Sequence, residues 1–307
     1  MKIVVIGQFC HDCYGSIETQ LQREPGGILY AIYALSSVVQ KDDIIYPVFP
    51  IAEGSEADLK SNNSLLPNVD WQYVYPTKEK NTAILITVNS QQETEFKAIH
   101  VLNEPTKPNQ LPDVDADIVY LNFQTGYEIK IEDLTFLKEK YPNAYIHIDV
   151  HLLAKRIAQT QKGNAEKAVS DLQKLFSVCD SVQMNQQELL GLIYASGLTE
   201  KDLVKMALLD NQIKAFIITK AERGVVCYEK LLNKIETHIL RPTQIIQTEN
   251  SIGCGDVLGS VMTYELQKTK GFRSALTRGM RLAELTATKK GFQAKVEHVR
   301  INGALLS

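Results

Sequence analysis

Residues 250–256 read Asn-Ser-Ile-Gly253-Cys254-Gly255-Asp256 and run directly into the apolar stretch Val257-Leu258-Gly259-Ser260-Val261-Met262. Two glycines flank one small residue, a carboxylate follows at once, and a helix-like pattern begins there. Main-chain N–H groups at a helix start lack intrahelical partners, and the aligned peptide dipoles add positive potential, so the end of such a helix suits an anion. A carboxylate at the same place can take a proton from an incoming hydroxyl. An anion cradle with a base beside it suits phosphoryl transfer from a nucleotide to an alcohol, a reaction in which the protein mainly positions reactants and stabilises charge. The same residues would also serve as a plain strand-to-helix turn with an aspartate cap.

Four further segments carry polar or glycine residues at useful spacings. Asp12 follows the first apolar run after a short gap. A carboxylate accepts two hydrogen-bond donors at once, and a loop aspartate equally serves as a solvated surface group. Pro25-Gly26-Gly27 precedes a helical pattern starting near Ile28, and paired glycines let main chain approach a ligand closely. Asn185-Gln186-Gln187-Glu188 has capping-box spacing, with Asn185 opening a helix and Glu188 one turn on. Thr219-Lys220-Ala221-Glu222-Arg223-Gly224 joins two apolar runs, and Lys220 either pairs with a phosphate or stands in solvent. Cys10 and Cys13 form a C-x-x-C around His11, but no second pair completes a zinc site, so the pair reads as coincidence ahead of a metal or redox role.

The elements that must position these residues alternate between strands and helices. Runs at Lys2–Gly7, Ile44–Phe49, Ala83–Val88, Ile118–Asn122, Ala144–Asp149, Ser181–Met184, Ala215–Thr219 and Gly224–Tyr228 predict strands. Several are Ile and Val runs without strict alternation, as in strands buried on both faces. Helical patterns cover Ile28–Val39, Ile131–Lys140, Ala165–Phe176, Gln186–Tyr194, Lys201–Leu209, Val257–Lys268 and Phe272–Lys290. This order predicts an α/β fold, a mostly parallel sheet with helices on both faces. Residues 9–24 and about 72–101 break the pattern with polar–apolar alternation.

Composition narrows the function classes. The chain has 307 residues, 44% hydrophobic and 22% charged, enough for a large core without staples. A net charge of −3 without a basic stripe disfavours nucleic acid. The apolar runs are too short for a membrane span, and Met1–Gly7 is too short for a signal peptide. Five scattered cysteines (10, 13, 179, 227 and 254) predict reduced thiols and a cytoplasmic location. Gly7 is followed by Gln8-Phe9-Cys10, which lacks the later glycines of a dinucleotide fingerprint.

In this order the segments resemble the signatures of the ribokinase-like family, the PfkB carbohydrate kinases, over essentially the whole chain. Residues 250–256 look like the family's Asp-Thr-x-Gly-Ala-Gly-Asp: Gly253, Gly255 and Asp256 match, while Cys254, Ser251 and Asn250 replace alanine, threonine and aspartate. The resemblance implies an anion hole around Gly253, Cys254 and Gly255 and makes Asp256 the catalytic base. It makes Asp12, Gly26 and Gly27 the acceptor site. It ties Glu188 to magnesium through water, and it sets Asn185, Thr219, Lys220 and Gly224 beside the nucleotide. Ala283–Gly291 is similar to the helix and glycine by the adenine pocket. Asp149 alone is carried over from a strand-end Asp-x-Asn-x-Arg.

The fold implied is ribokinase-like, a single domain over residues 1–307, with residues 9–24 and about 72–101 forming a small β-sheet lid that excludes water. The activity implied is ATP- and Mg2+-dependent phosphorylation of a hydroxymethyl group on a small sugar or related alcohol. Family lids often pair, which implies a homodimer through the lid. Some positions depart from the pattern. Ala31 stands where the family has asparagine, and Ile28 where sugar kinases often carry a polar residue. These losses make the acceptor site less polar, which suits a nucleoside kinase as the alternative, with a non-catalytic binding or regulatory member as a further one. Gln92-Glu93-Thr94 lies where a lid strand has Gly-Glu-Arg, and Asn250 attracts a monovalent cation less than a carboxylate would. Cys254 stands either as a small apolar residue or as an oxidation-sensitive thiol acidified by the helix start.

Overall fold

A computed structural model describes residues 1–15, 21–56, 59, 66–88, 94–160, 163–211, 213–232, 234–242 and 251–306. In chain order the strands are β1 (Lys2–Ile6), β2 (Phe9–Tyr14), β3 (Gln22–Gly27), β4 (Ile44–Ala52), β5 (Val74–Thr77), β6 (Thr82–Val88), β7 (Thr94–His100), β8 (Ile118–Asn122), β9 (Tyr145–Asp149), β10 (Ser181–Asn185), β11 (Ala215–Thr219), β12 (Val225–Leu231) and β13 (Lys234–Leu240). The helices are α1 (Leu29–Val38), α2 (Thr135–Lys140), α3 (Leu152–Thr160), α4 (Ala165–Val178), α5 (Gln186–Ser196), α6 (Glu200–Lys205), α7 (Cys254–Thr269), α8 (Phe272–Ala287) and α9 (Phe292–Leu306). None of those described is long and apolar enough to cross a membrane.

The large sheet has the order β13-β12-β11-β10-β9-β8-β1-β4-β5. It is parallel from β11 to β5, and the hairpin β12–β13 adds an antiparallel edge. Both faces of the parallel part are covered, which is why its strands read as apolar runs rich in Ile and Val. On β1, Ile3 and Val5 enter the core beneath α1, α7, α8 and α9, while Val4 and Ile6 enter the core beneath α3, α4 and α5. All four are wholly buried. Strand order reverses beside β1, since the chain first adds β4 and β5 on one side and then returns to add β8 on the other. Such a switch point opens a crevice at the carboxyl ends of the strands.

The small sheet has the order β3-β2-β6-β7. It begins two residues past β1, so it rises from the rim of that crevice. Gln8 clips its two connections together: Nε2 donates to Leu102 O at 2.9 Å, and Oε1 accepts from Thr82 Oγ1 at 2.8 Å. Val74–Thr77 pairs with β4 in the large sheet, so the small sheet's second segment starts at Thr82 rather than near residue 72. Gly26 and Gly27 end strand β3 rather than forming a loop, paired to Cys10 and Phe9.

Candidate active site

Asp256 sits in the first turn of α7, whose N-cap Gly253 has φ 79° and ψ −8°. A left-handed turn there favours glycine, and the site adds a second demand: a Cβ on Gly253 would lie 2.5 Å from the Tyr30 ring. The start of α7 therefore packs face-on against an aromatic ring with no room for a side chain. The Asp256 carboxyl is buried, and its Oδ1 accepts from Asn122 Nδ2 and from Gln124 Nε2, the latter at 3.0 Å. Asn122 ends β8, so the sheet's switch point holds the carboxyl. Burial raises the Asp256 pKa well above the ordinary carboxylate range, and the negative charge of Asp149 adds to the rise. A buried carboxyl with a raised pKa, fixed by two amides, fits a proton acceptor.

Gln183 links this turn to the next strand end. Its Nε2 donates to Asp149 Oδ2 at 2.9 Å and to Gly255 O at 3.0 Å. Register on the sheet puts Asp149 opposite Gln183 and Asn122 opposite Asp149. His151, just beyond Asp149, has φ 39°, a strained value for a non-glycine residue, and its Nδ1 lies 3.9 Å from Glu188 Oε1. Burial lowers the His151 pKa to about 4, so the ring is neutral.

Asn185 and Glu188 form a capping box at the start of α5: Glu188 N donates to Asn185 Oδ1 at 2.9 Å, and Asn185 N donates to Glu188 Oε2 at 2.7 Å. Burial pushes Glu188 up to about 7, with Asp256 adding to the rise. Asp149 is raised by burial and then by the charge of Glu188. Asp149, Glu188 and Asp256 thus lie close enough for the charge of one to oppose the ionisation of another. No group of three or more His, Cys, Asp or Glu is arranged to hold a metal directly among the described residues. One or two carboxylates under electrostatic stress fit a cation that keeps most of its own waters.

The predicted acceptor residues are also brought together. Asp12 on β2 lies against Gly26 on β3, where a Cβ would fall 2.4 Å from the Asp12 carboxyl. Tyr30 Oη donates to Asp12 Oδ2 at 3.1 Å, and the Tyr30 ring in turn packs on Gly253. Asp12 and the start of α7 are thus one residue apart through space. Burial raises Asp12 to about 7. Gly27 has φ 65°, and a Cβ there would lie 2.4 Å from Gln8 O. Ile28 is wholly buried against Gly7, and Ala31 is wholly buried in the core.

Thr219 ends β11 directly opposite Asn185. Lys220 N donates to Gly224 O at 2.8 Å, closing a tight turn in which Gly224 has φ 86°. These residues share the strand-end rim with Asn185, farther along it than Asp256. Asn250 lies outside the described residues.

For the cysteines the structure supports the plainer alternative in both cases, Cys254 as a small apolar residue and the Cys10–Cys13 spacing as coincidence. Burial raises Cys254 to about 11, with Lys295 opposing and Asp256 assisting, so its thiol is not acidified by the helix start. Cys10 and Cys13 are three apart on β2, so their side chains leave opposite faces and cannot share a metal or a disulfide. Sequence reasoning missed Tyr30, Asn122, Gln124, Gln183 and Lys295. A polar residue ending an otherwise apolar strand, as at Asn122, was the available signal for one of them.

A doubly wound sheet with carboxyls along one strand-end rim, and a small sheet rising beside them, defines an open α/β architecture with a crevice at its switch point. The chain matches the pfkB family carbohydrate kinases over residues 63–299, and it belongs to that family. No curated protein sequence matches it. Among solved structures it is similar to ribokinase from Thermotoga maritima, at 18% identity and TM-score 0.70, covering 100% of this chain and 99% of that one. It is similar to a Burkholderia thailandensis nucleoside kinase in complex with inosine, at 13% identity and TM-score 0.73, covering 99% and 98%. It is also similar to Salmonella enterica aminoimidazole riboside kinase, complexed with aminoimidazole riboside and an ATP analog, at 14% identity and TM-score 0.73, covering 99% and 100%. At these identities the likeness is one of fold.

Proposed function

We propose that the protein is an ATP-dependent kinase that phosphorylates a hydroxymethyl group of a small sugar or related alcohol. The observation that carries this reading is Asp256: a buried carboxyl in the first turn of a glycine-opened helix, held by Asn122 and Gln124, with a raised pKa. Asp12, Gly26 and Gly27 bind and orient the acceptor so that its hydroxyl reaches Asp256. The hydroxyl oxygen bonds to the γ-phosphorus, the bond from that phosphorus to the β–γ bridging oxygen breaks, and the hydroxyl proton passes to Asp256. ADP leaves with the bridging oxygen. The N–H groups around Gly253–Gly255 take up the charge on the transferring group.

Asp149 and Glu188 are the residues that would hold magnesium through its waters. Bound there, the ion would offset phosphate charge. Asn185, Thr219, Lys220 and Gly224 border the nucleotide side of the rim in this reading. The small sheet acts as a lid that excludes water, the competing acceptor. The loss of the family's asparagine at Ala31 supports a second reading, in which the acceptor is a nucleoside.

The test is ATP consumption with a panel of sugars and nucleosides. Turnover with a sugar supports the first reading, and turnover confined to nucleosides supports the second. Binding of acceptors without any ADP release would overturn both.

A further inference from the structure

Lys295 on α9 is a charged group that the reaction above does not use. It is 1% exposed, which is rare for a lysine. Its surroundings include Tyr33, Ala34, Val257, Val296 and Thr286, a mostly apolar setting in which an ammonium loses its hydration. Its Nζ donates to Ile252 O at 2.5 Å and stands 5.9 Å from the Tyr30 ring centroid. Burial lowers its pKa, while Cys254, Asp12, Glu24 and Asp256 favour the charged form. The ammonium is therefore held at the glycine turn and beside Tyr30, within electrostatic reach of Asp12 and Asp256.

Ile252 is the residue immediately before Gly253. No cis peptide bond occurs among the described residues, so the Ile252 carbonyl and the Gly253 N–H belong to one trans peptide and point opposite ways. A cation fixed on that oxygen fixes the direction of the N–H and polarises it as a donor. It also offsets the negative charge that Asp12 and Asp256 collect beside the same turn.

We propose that the Lys295 ammonium is a tethered monovalent cation that sets the 252–255 turn, and so acts as a positioning residue for phosphoryl transfer. The inference rests on the kinase reading above. It distinguishes this chain from one that would need a soluble cation at that carbonyl, because here the charge arrives on a helix of the protein itself.

The test has two parts. In the wild type, turnover with ATP, magnesium and acceptor is expected to be equal in choline, sodium, potassium and ammonium chloride at one ionic strength. A requirement for potassium or ammonium would overturn the proposal, and this arm needs no variant. In Lys295→Met, kcat is expected to fall on the order of a hundredfold, with the KM values for ATP and acceptor nearly unchanged. Ammonium chloride, but not choline chloride, is expected to restore most of that loss by entering the space the ammonium left. A folded variant with wild-type kcat, or one that ammonium fails to revive, would overturn the proposal. Failure of the kinase reading shows separately, as a wild type that consumes no ATP with any acceptor.

Discussion

Gly253→Ala tests whether the start of α7 is as tightly built as its geometry implies. Two costs add. The first is conformational: at φ 79° an alanine pays about 1–2 kcal/mol for the left-handed region. The second is steric. The new Cβ would lie 2.5 Å from Tyr30 Cδ1 and Cγ, far inside the 3.4 Å at which ordinary contact begins. Tyr30 cannot step aside freely, because it is buried, its hydroxyl is bonded to Asp12, and its ring packs edge-on against Phe292 at 5.2 Å. Forcing extra volume into such a site costs about 1–3 kcal/mol. Together the variant should lose roughly 2–5 kcal/mol, read by urea denaturation, with a fall in Tm of several degrees. Displacing the ring also disturbs Asp12, so kcat should drop about a hundredfold in a coupled ADP-release assay. Undiminished stability would refute the packing of Tyr30 on Gly253. Lost stability with intact kcat would refute the placing of this turn at the transferred phosphoryl.

Gly26→Ala puts a methyl 2.4 Å from the Asp12 carboxyl on the acceptor side, so it should raise the acceptor KM about tenfold or more and leave ADP affinity, measured by calorimetry, unchanged. Stability should depend on pH with a definite sign. Burial raises Asp12, Glu128 and Glu188 to about 7, against ordinary values near 4, so the folded state holds more protons than the unfolded state between those limits. Stability of the ligand-free protein should therefore fall as pH rises from about 4 through about 7, followed by urea midpoints across the range, and Glu188→Gln should flatten that fall.

The strands of the large sheet were the most legible part of the sequence. Ile118–Asn122 and Ala215–Thr219 match their predicted bounds, because double-faced burial writes itself as a short, nearly continuous apolar run, Ile-Val-Tyr-Leu and Ala-Phe-Ile-Ile. The β3 strand was not legible, since Pro25, Gly26 and Gly27 carry no strand propensity and become a strand only by pairing with β2. Helices α3 and α9 were missed: Leu152–Thr160 follows a strand end that was read for its aspartate alone, and Phe292–Leu306 carries Gly303 in its interior. Within the candidate site, the Gly253–Asp256 segment was visible because its parts are neighbours in the chain. Asn122, Gln124, Gln183 and Lys295 were not, since each is a single polar residue. They meet Asp149, Ile252, Gly255 and Asp256 only through sheet register and the docking of α9.

The most direct measurement is the rate of phosphoryl transfer by Asp256→Asn together with its affinity for ADP. An asparagine oxygen can still accept from Asn122 and Gln124, so the fold and nucleotide binding should persist. Removing a buried carboxyl whose ionisation is opposed by burial should also make the variant more stable than wild type at pH 8. With the proton acceptor gone, kcat should fall about a thousandfold while ADP binds as before. A variant that binds ADP normally and transfers phosphoryl groups at close to the wild-type rate would contradict the assignment of Asp256 as the base.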